Sequence, residues 1–429
     1  MPAIVLIGGQ WGDEGKGRIV DLLSEKAHIV TRYSAGNNAG HTVINERGTF
    51  KLRLVPAGIC YPNKVCIIGN GMAVNPGALL KEIDELEERG VSTSHLYVSD
   101  RSQVVMPWHP LIDRLDEELR GKEAVGTTGY GVGPAFADKV GRIGIRMGDL
   151  VDPQVFGDRL RYVLDYKNRI LTRLYEADPL DYDGIFEEYC GYGRRLTPYV
   201  RDTSVIVQDA LSAGETVLLE GAQGSLLDLD AGTYEFVSSS VPSSLAAGAC
   251  IGIGIGPTQV DRVIGVYKAY MTRVGNGPMP SELFDDDGQK IRDMGQEYGT
   301  ATGRPRRCGW FDAVASRYTA RVNGLSSVVL TRLDVLDTFE TIGICTAYEI
   351  DGERVTDFPA SVGALQRAKP VFEPFPGWNT STTHVRSWAD LPVAAQEYVK
   401  KIGELMDVPV GLVSVGPERE QFLALDSIF

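Results

Sequence analysis

An unbroken apolar run, Ala3 to Ile7, reads as a buried strand. Gly8, Gly9, Gly12, Gly15 and Gly17 follow, and Ile19, Val20, Leu22 and Leu23 then open a helix. Strand, glycine turn, helix is the layout that aims backbone N–H groups and a helix dipole at phosphate. Further on, short β-branched runs at residues 28–33, 64–68, 96–99, 216–220, 262–267, 327–330 and 409–415 predict strands. Helical spacing of apolar positions predicts helices at 76–89, 107–120, 153–175, 310–322 and 391–406. Such alternation predicts an α/β fold with a large, mostly parallel central sheet flanked by helices. Residues 341–349 and 354–357, joined by Asp351-Gly352, predict a small antiparallel hairpin. No repeat, low-complexity tract or clear linker interrupts the pattern. Residues 1–429 are therefore expected to form a single α/β catalytic domain with insertions, including a helical one at about 100–212.

Bulk properties narrow the function. The chain has 429 residues, 43% apolar and 23% charged, ordinary for a globular protein. A net charge of −14 argues against a general nucleic-acid binder, whose affinity comes from neutralising phosphates with Lys and Arg. No apolar run approaches the roughly 18 residues of a membrane span. No basic, apolar leader opens the chain, so no signal peptide is expected. Cys60, Cys66, Cys190, Cys250, Cys308 and Cys345 form no CxxC pair. They are expected to be reduced core thiols of a cytoplasmic protein.

The first turn departs from the Walker pattern, Gly-x4-Gly-Lys-Ser/Thr. Gly15-Lys16 is followed by Gly17, so the hydroxyl that normally holds Mg²⁺ is absent, and Gln10 stands where the first glycine belongs. Asp13 is the oxygen ligand available inside the turn. A purely capping role for Asp13 and Glu14 is the plainer alternative. A second segment, Gly36-Asn-Asn-Ala-Gly-His41-Thr42, follows a predicted strand and offers donors to phosphate or a purine edge. A third, Gly126-Thr-Thr-Gly-Tyr130-Gly-Val-Gly133, suits a loop closing over an anion, with Arg142 and Arg146 beyond it.

Glu220-Gly-Ala-Gln223-Gly224 lies at the carboxyl end of a predicted strand, where ligands gather in open α/β sheets. By contrast, Gly252-Ile-Gly254-Ile-Gly256 has the wrong spacing for a dinucleotide fingerprint and reads as tight packing. Thr300-Ala-Thr-Gly-Arg304-Pro-Arg306-Arg307 gathers guanidinium groups suited to carboxylate or phosphate. Finally, Thr331-Arg332-Leu333-Asp334 follows another strand. A carboxylate there can accept from guanine N1–H and the exocyclic amine, and adenine would be rejected.

Together these segments resemble the adenylosuccinate synthetase family, from about Ile4 to about Glu420. The carriers are Gly8-Gly-Gln-Trp-Gly-Asp-Glu-Gly-Lys-Gly17, Asn38-Ala-Gly-His-Thr42, Gly221-Ala-Gln-Gly224, Thr302-Gly-Arg304, Leu333-Asp-Val-Leu-Asp337 and Val415-Gly-Pro417. The resemblance implies GTP-dependent ligation of L-aspartate to IMP through a 6-phosphoryl-IMP intermediate, giving adenylosuccinate, GDP and phosphate. It also implies one Mg²⁺ per subunit, held by Asp13 and the Gly40 carbonyl, and GTP as co-substrate.

By the same resemblance Asp13, His41, Lys16 and Gln223 are the catalytic residues, with Asp13 the base and His41 the acid. IMP would be held by Asp13, Glu14, Gly15, Lys16, Asn38, Ala39, Gly40, His41, Thr128, Gln223, Ser238 and Arg304. Arg142 would reach it across a homodimer interface. Aspartate would meet Thr300, Ala301, Thr302, Gly303, Arg304 and Arg306. GTP would meet Gly12, Asp13, Glu14, Gly15, Lys16, Gly17, Arg18, Gly40, His41 and Thr42, then Arg306, Arg332, Leu333, Asp334, Ser414, Val415 and Gly416.

Some positions depart from the family's pattern. Tyr130 stands where a basic residue is frequent, Arg332 where Lys is usual, and Ser238 where Thr is usual. The stretch 238–248 is atypical as well. Two other functions therefore stay open: a paralogue applying the same phosphorylate-then-displace chemistry to another oxo-purine-like nucleotide or amine, and a GTP-binding switch.

Overall fold

The computed structural model describes residues 3–45, 48–298, 303 and 305–426. The chain forms two compact units: Met1–Val5, Gly17–Ala222 and Ser238–Asp261 make the first, and Leu6–Lys16, Gln223–Val237 and Arg262–Phe429 the second.

The first unit carries parallel strands in the order Val200–Arg201, Leu96–Ser99, Val65–Ile68, Ile29–Arg32 and Val217–Glu220. Residues 3–5 of the strand Ala3–Gly8 come next in that order. Ile29–Arg32, Val217–Glu220 and residues 3–5 are buried on both faces, which is why they show no polar–apolar alternation. Helix Pro76–Glu88 is capped by Asn75, whose side chain accepts from the Ala78 N–H at 2.9 Å, and it buries Leu79, Leu80, Ile83 and Leu86. Helices Trp108–Arg120, Val132–Val140, Pro153–Leu174, Tyr182–Leu196 and Thr203–Ser212 make the region between the strands strongly helical.

In the second unit residues 6–8 of that first strand precede residues 262–268 of the strand Val260–Lys268, which pairs in parallel with Ser327–Thr331. Val410–Ser414 is parallel to Ser327–Thr331, and Phe422–Ala424 closes the edge antiparallel. The main core here joins Tyr267, Val328, Leu330, Leu333, Phe311, Tyr398 and Ile402. The expected hairpin forms as Thr341–Ile350 and Glu353–Val355, and Lys369–Pro376 adds a third antiparallel strand that no turn signal announced.

The fold is the α/β, mostly parallel architecture expected. The differences are local. The helix expected from 310 starts at Ala313, because Phe311–Asp312 pairs with the strand Thr341–Ile350 and Asp312 then caps the helix. Tyr182–Leu196 has three glycines, each costing about 1 kcal/mol of helix propensity. Packing compensates: Tyr189 is buried and Phe186 stacks on Phe156 at 5.9 Å. Helix Ala246–Ile253 ends at Gly254, a left-handed cap at φ 83°, and Gly252 packs so closely that a Cβ there would lie 2.2 Å from the Tyr33 carbonyl oxygen. All six cysteines are buried and free. Among the described residues no helix is long and apolar enough to cross a membrane.

Candidate active site

In the second unit the glycine turn is braced from within. The fully buried Glu14 carboxylate accepts the N–H groups of Gln10 and Gly12 at 3.0 and 2.9 Å and pairs with Lys16 Nζ at 2.6 Å. Its backbone carbonyl accepts from Thr331 Oγ1 at 2.7 Å. Gln10 ties the turn to the strand Val260–Lys268: its amide accepts from the Lys268 N–H at 3.1 Å and donates to the Lys268 and Tyr270 carbonyls at 3.2 and 3.1 Å. Only glycine fits at two positions. A Cβ on Gly9 would lie 1.9 Å from the Tyr267 ring, and one on Gly8 2.5 Å from Glu14 Oε2.

This bracing presents Asp13 outward. Asp13 takes the left-handed conformation at φ 61°, strained for a non-glycine residue and tolerated because the flanking turn is held. Its half-exposed carboxylate meets Arg306 Nε at 2.9 Å. Arg306 also reaches Glu297 at 2.7 Å, and Glu297 accepts from Lys268 Nζ at 2.7 Å and the Tyr270 hydroxyl at 2.6 Å. Burial pushes the Lys268 ammonium down, against the pull of Glu297. Burial pushes Glu297 up, but Lys268, Tyr270 and Arg306 outweigh it and leave the carboxyl below its ordinary range.

Arg332, at φ 65°, donates to the Gly295 carbonyl. Asp334 lies in the turn Leu333–Leu336 directly beyond the strand Ser327–Thr331. Leu333, Ser414, Val415 and Gly416 are buried, with the Ser414 hydroxyl donating to the Gly416 carbonyl at 3.1 Å. Gln223, at φ 59°, is half-buried in the same unit.

In the first unit His41 Nδ1 lies 3.0 Å from Glu220 Oε1, with the Glu220 side chain almost fully buried. Glu220 also accepts the Ala57 N–H at 3.1 Å and faces Arg32 Nε at 3.7 Å. Arg32 donates to the Ala39 carbonyl at 3.1 Å and to the Arg53 carbonyl. Burial lowers the Arg32 pKa, opposed by Glu220 and Glu82. Glu220 and Arg32 thus hold both the histidine and the loop before it. Asn38 Oδ1 accepts from the Gly36 N–H at 3.2 Å, which folds that loop back, and Gly40 is exposed at its tip.

Elsewhere in this unit the loop 126–129 is exposed, Thr128 included, and so is Arg142. Ser238 is half-buried, its hydroxyl 3.3 Å from that of Ser240. Tyr130 meets Arg53: the guanidinium lies over the ring at 5.3 Å and Nη1 donates to the phenol oxygen at 2.5 Å.

The structure gathers Asp13, Glu14, Gly15, Lys16 and Arg306 around the braced turn of one unit, and His41, Asn38, Ala39 and Gly40 around Glu220 in the other. Thr300, Ala301, Thr302 and Arg304 lie outside the described residues, as does the Thr42 side chain. Residue-type reasoning passed over Glu220, Arg32, Lys268 and Glu297. Glu220 was visible in the quoted motif, ending a strand as an acid in an apolar run; Glu297 carried no local signal.

Among the described residues no three His, Cys, Asp or Glu side chains gather as a metal cluster. The half-exposed Asp13 carboxylate is a hard oxygen donor on an accessible turn. That suits Mg²⁺, which takes one or two carboxylates and completes its shell with water and substrate phosphates.

Comparison with known proteins bears on the whole chain. The family model described as adenylosuccinate synthetase matches residues 5–423. The chain is 51% identical to the adenylosuccinate synthetase of Exiguobacterium sibiricum over 429 residues, 100% of this chain and 99% of the relative. It is 51% identical to that of Dehalococcoides mccartyi over 421 residues, 98% and 99% of the two chains. The solved structure of the fully ligated adenylosuccinate synthetase from Plasmodium falciparum superposes with a TM-score of 0.91 at 34% identity, covering 99% of this chain and 100% of that one. A cyanophage S-2L succinoaminodeoxyadenylate synthetase, bound to dGMP and dATP, shares the fold at TM-score 0.62 and 21% identity, covering 99% and 96%.

Proposed function

The chain belongs to the adenylosuccinate synthetase family, and from that premise we propose how its own residues perform the reaction. It is a GTP-dependent ligase that joins L-aspartate to IMP, giving adenylosuccinate, GDP and phosphate. That identity displaces the switch and the paralogue as the leading alternatives.

In the proposed course Asp13 takes the N1 proton of IMP, and O6 attacks the γ-phosphorus of GTP. The bond from that phosphorus to the β–γ bridging oxygen breaks and GDP leaves. His41 donates its proton to the phosphate oxygens as charge builds there. The amine of aspartate then attacks C6, phosphate departs with O6, and the amine loses a proton. Phosphorylation must come first, because an amide-like oxygen is a poor leaving group. Lys16 neutralises phosphate charge, and Gln223 binds beside the base. Catalysis of this kind rests on positioning and charge stabilisation more than on covalent chemistry.

The observation that carries these roles is the turn itself. Glu14 uses both carboxylate oxygens on the turn's own groups, whereas Asp13 is aimed outward. Asp13 and the Gly40 carbonyl would hold Mg²⁺, which would polarise the phosphates and offset their charge. Asn38, Thr128 and Ser238 would bind the nucleotide of the acceptor, with Arg142 supplied by a second subunit of a homodimer. Arg304 and Arg306 would receive aspartate, and Arg332, Asp334, Ser414 and Gly416 the guanosine. A cytoplasmic location, and one catalytic domain over residues 1–429 with its helical insertion at about 100–212, belong to the same proposal. Turnover assays omitting IMP, GTP or aspartate in turn test it: product should need all three, and GTP hydrolysis at the full rate with IMP omitted would overturn it.

A further inference from the structure

Glu117, near the end of helix Trp108–Arg120, accepts three consecutive backbone N–H groups. They come from Val125 at 3.0 Å, Gly126 at 2.6 Å and Thr127 at 3.1 Å. Gly126, at φ +80°, bends the chain so that the three donors converge. Convergent backbone amides of this kind form a concave anion-binding nest. Here the anion filling it is a side chain of the protein. Burial pushes the half-buried Glu117 carboxyl up, and the three N–H bonds outweigh it and hold it below its usual range. The same helix fixes the far end of the loop, where Asp113 accepts the Gly131 N–H at 2.9 Å. Asp113 is buried, whereas residues 126–129 are exposed and Glu117 is half-buried.

We propose that Glu117 is a phosphate-mimicking latch: it fills the amide nest at residues 125–127 until the 5′-phosphate of the acceptor nucleotide displaces it and takes those donors, together with the Thr128 hydroxyl. This rests on the reading above that Thr128 binds IMP. A phosphate dianion carries more charge and more acceptor oxygens than one carboxylate, so exchange favours the nucleotide once it arrives. The latch lowers apparent affinity by the fraction of enzyme it holds closed. It also keeps the nest from smaller, singly charged anions, which compete no better than Glu117 itself.

Glu117→Gln tests this. The neutral amide keeps the side chain's size and one acceptor but loses the charge. The Michaelis constant for IMP should fall about fivefold, with the change in KM and not in kcat. Inhibition by inorganic phosphate should strengthen by a similar factor, and binding of inosine, which has no phosphate, should stay as it was. An unchanged or higher KM for IMP would overturn the latch. So would an equal gain for inosine, since general loosening of the loop would explain it. Glu117→Asp, charged but too short to span three amides, should fall between the two forms. Loss of IMP turnover in the unmodified enzyme would instead defeat the nucleotide assignment, so the two failures are distinguishable.

Discussion

His41 Nδ1 sits 3.0 Å from the carboxylate of Glu220. With the carboxylate facing Nδ1, Nε2 is the nitrogen left to give a proton to substrate in the proposed course. Glu220→Gln removes the charge and leaves the shape. Its kcat should fall by about 10²-fold, within the usual worth of one acid–base group, while the KM for GTP changes little. Steady-state kinetics at saturating substrate checks this. Glu220→Ala should also destabilise the fold, by about 3 kcal/mol in urea titration, because it strands the buried Arg32 charge.

Asp13 and Arg306 form an ion pair whose carboxylate side is half-exposed. Exposed pairs are worth about 1 kcal/mol or less, so Asp13→Asn should unfold at nearly the same temperature as the parent. Asn cannot take a proton from N1 of IMP. Turnover should drop by at least about 10³-fold, and near-normal turnover of the purified variant would end the assignment of Asp13 as base.

Two aspartates three residues apart separate guanine recognition from packing. Asp337 is buried and accepts from Trp378 Nε1 at 2.7 Å, from the Thr382 N–H at 2.7 Å and from the Thr382 hydroxyl at 2.9 Å. Asp334 lies within the short turn Leu333–Leu336 that Asp337 closes, and it is half-buried. Asp334→Asn should raise the KM for GTP by at least tenfold, or about 1.4 kcal/mol, and leave that for IMP alone. Asp337→Asn should do the reverse: about 1–3 kcal/mol of stability lost as one oxygen becomes an N–H₂ group facing donors, with GTP binding retained by the folded enzyme. Kinetics and thermal melts of both variants decide between these outcomes.

The parallel strands and the capped helices were legible because each carries its own signal. Ala3–Ile7 is wholly apolar, and helix Pro76–Glu88 opens with Asn75 and proline and keeps a buried stripe. The glycine turn was legible as a phosphate cradle. What it lacked was the division of labour within it: Asp13 and Glu14 are neighbours of like type, and only the fold shows Glu14 fully enclosed and Asp13 exposed. Glu297 and Lys268 pair across 29 residues, a relation no local pattern encodes. Tyr182–Leu196 was missed because its glycines argue against a helix that tertiary packing nevertheless stabilises.

Asp312 links the packing of the second unit to pH. It is fully buried, caps helix Ala313–Asn323 by accepting the Ala315 N–H at 3.0 Å, and accepts the Tyr348 hydroxyl at 2.7 Å. Burial raises its pKa from 3.8 to about 6, more than its hydrogen bonds lower it. A carboxyl whose folded pKa is raised binds its proton more tightly in the folded state. Its contribution is therefore most favourable below pH 3.8, is lost as pH rises to about 6, and stays lost above. The full swing is about 3 kcal/mol, and the part between pH 5 and 7 is about 1 kcal/mol. Asp312→Asn keeps a cap acceptor and cannot ionise. Its stability relative to the parent should therefore improve by about 1 kcal/mol from pH 5 to pH 7 in urea unfolding. A pH-independent difference would mean that Asp312 does not change its charge state over this range.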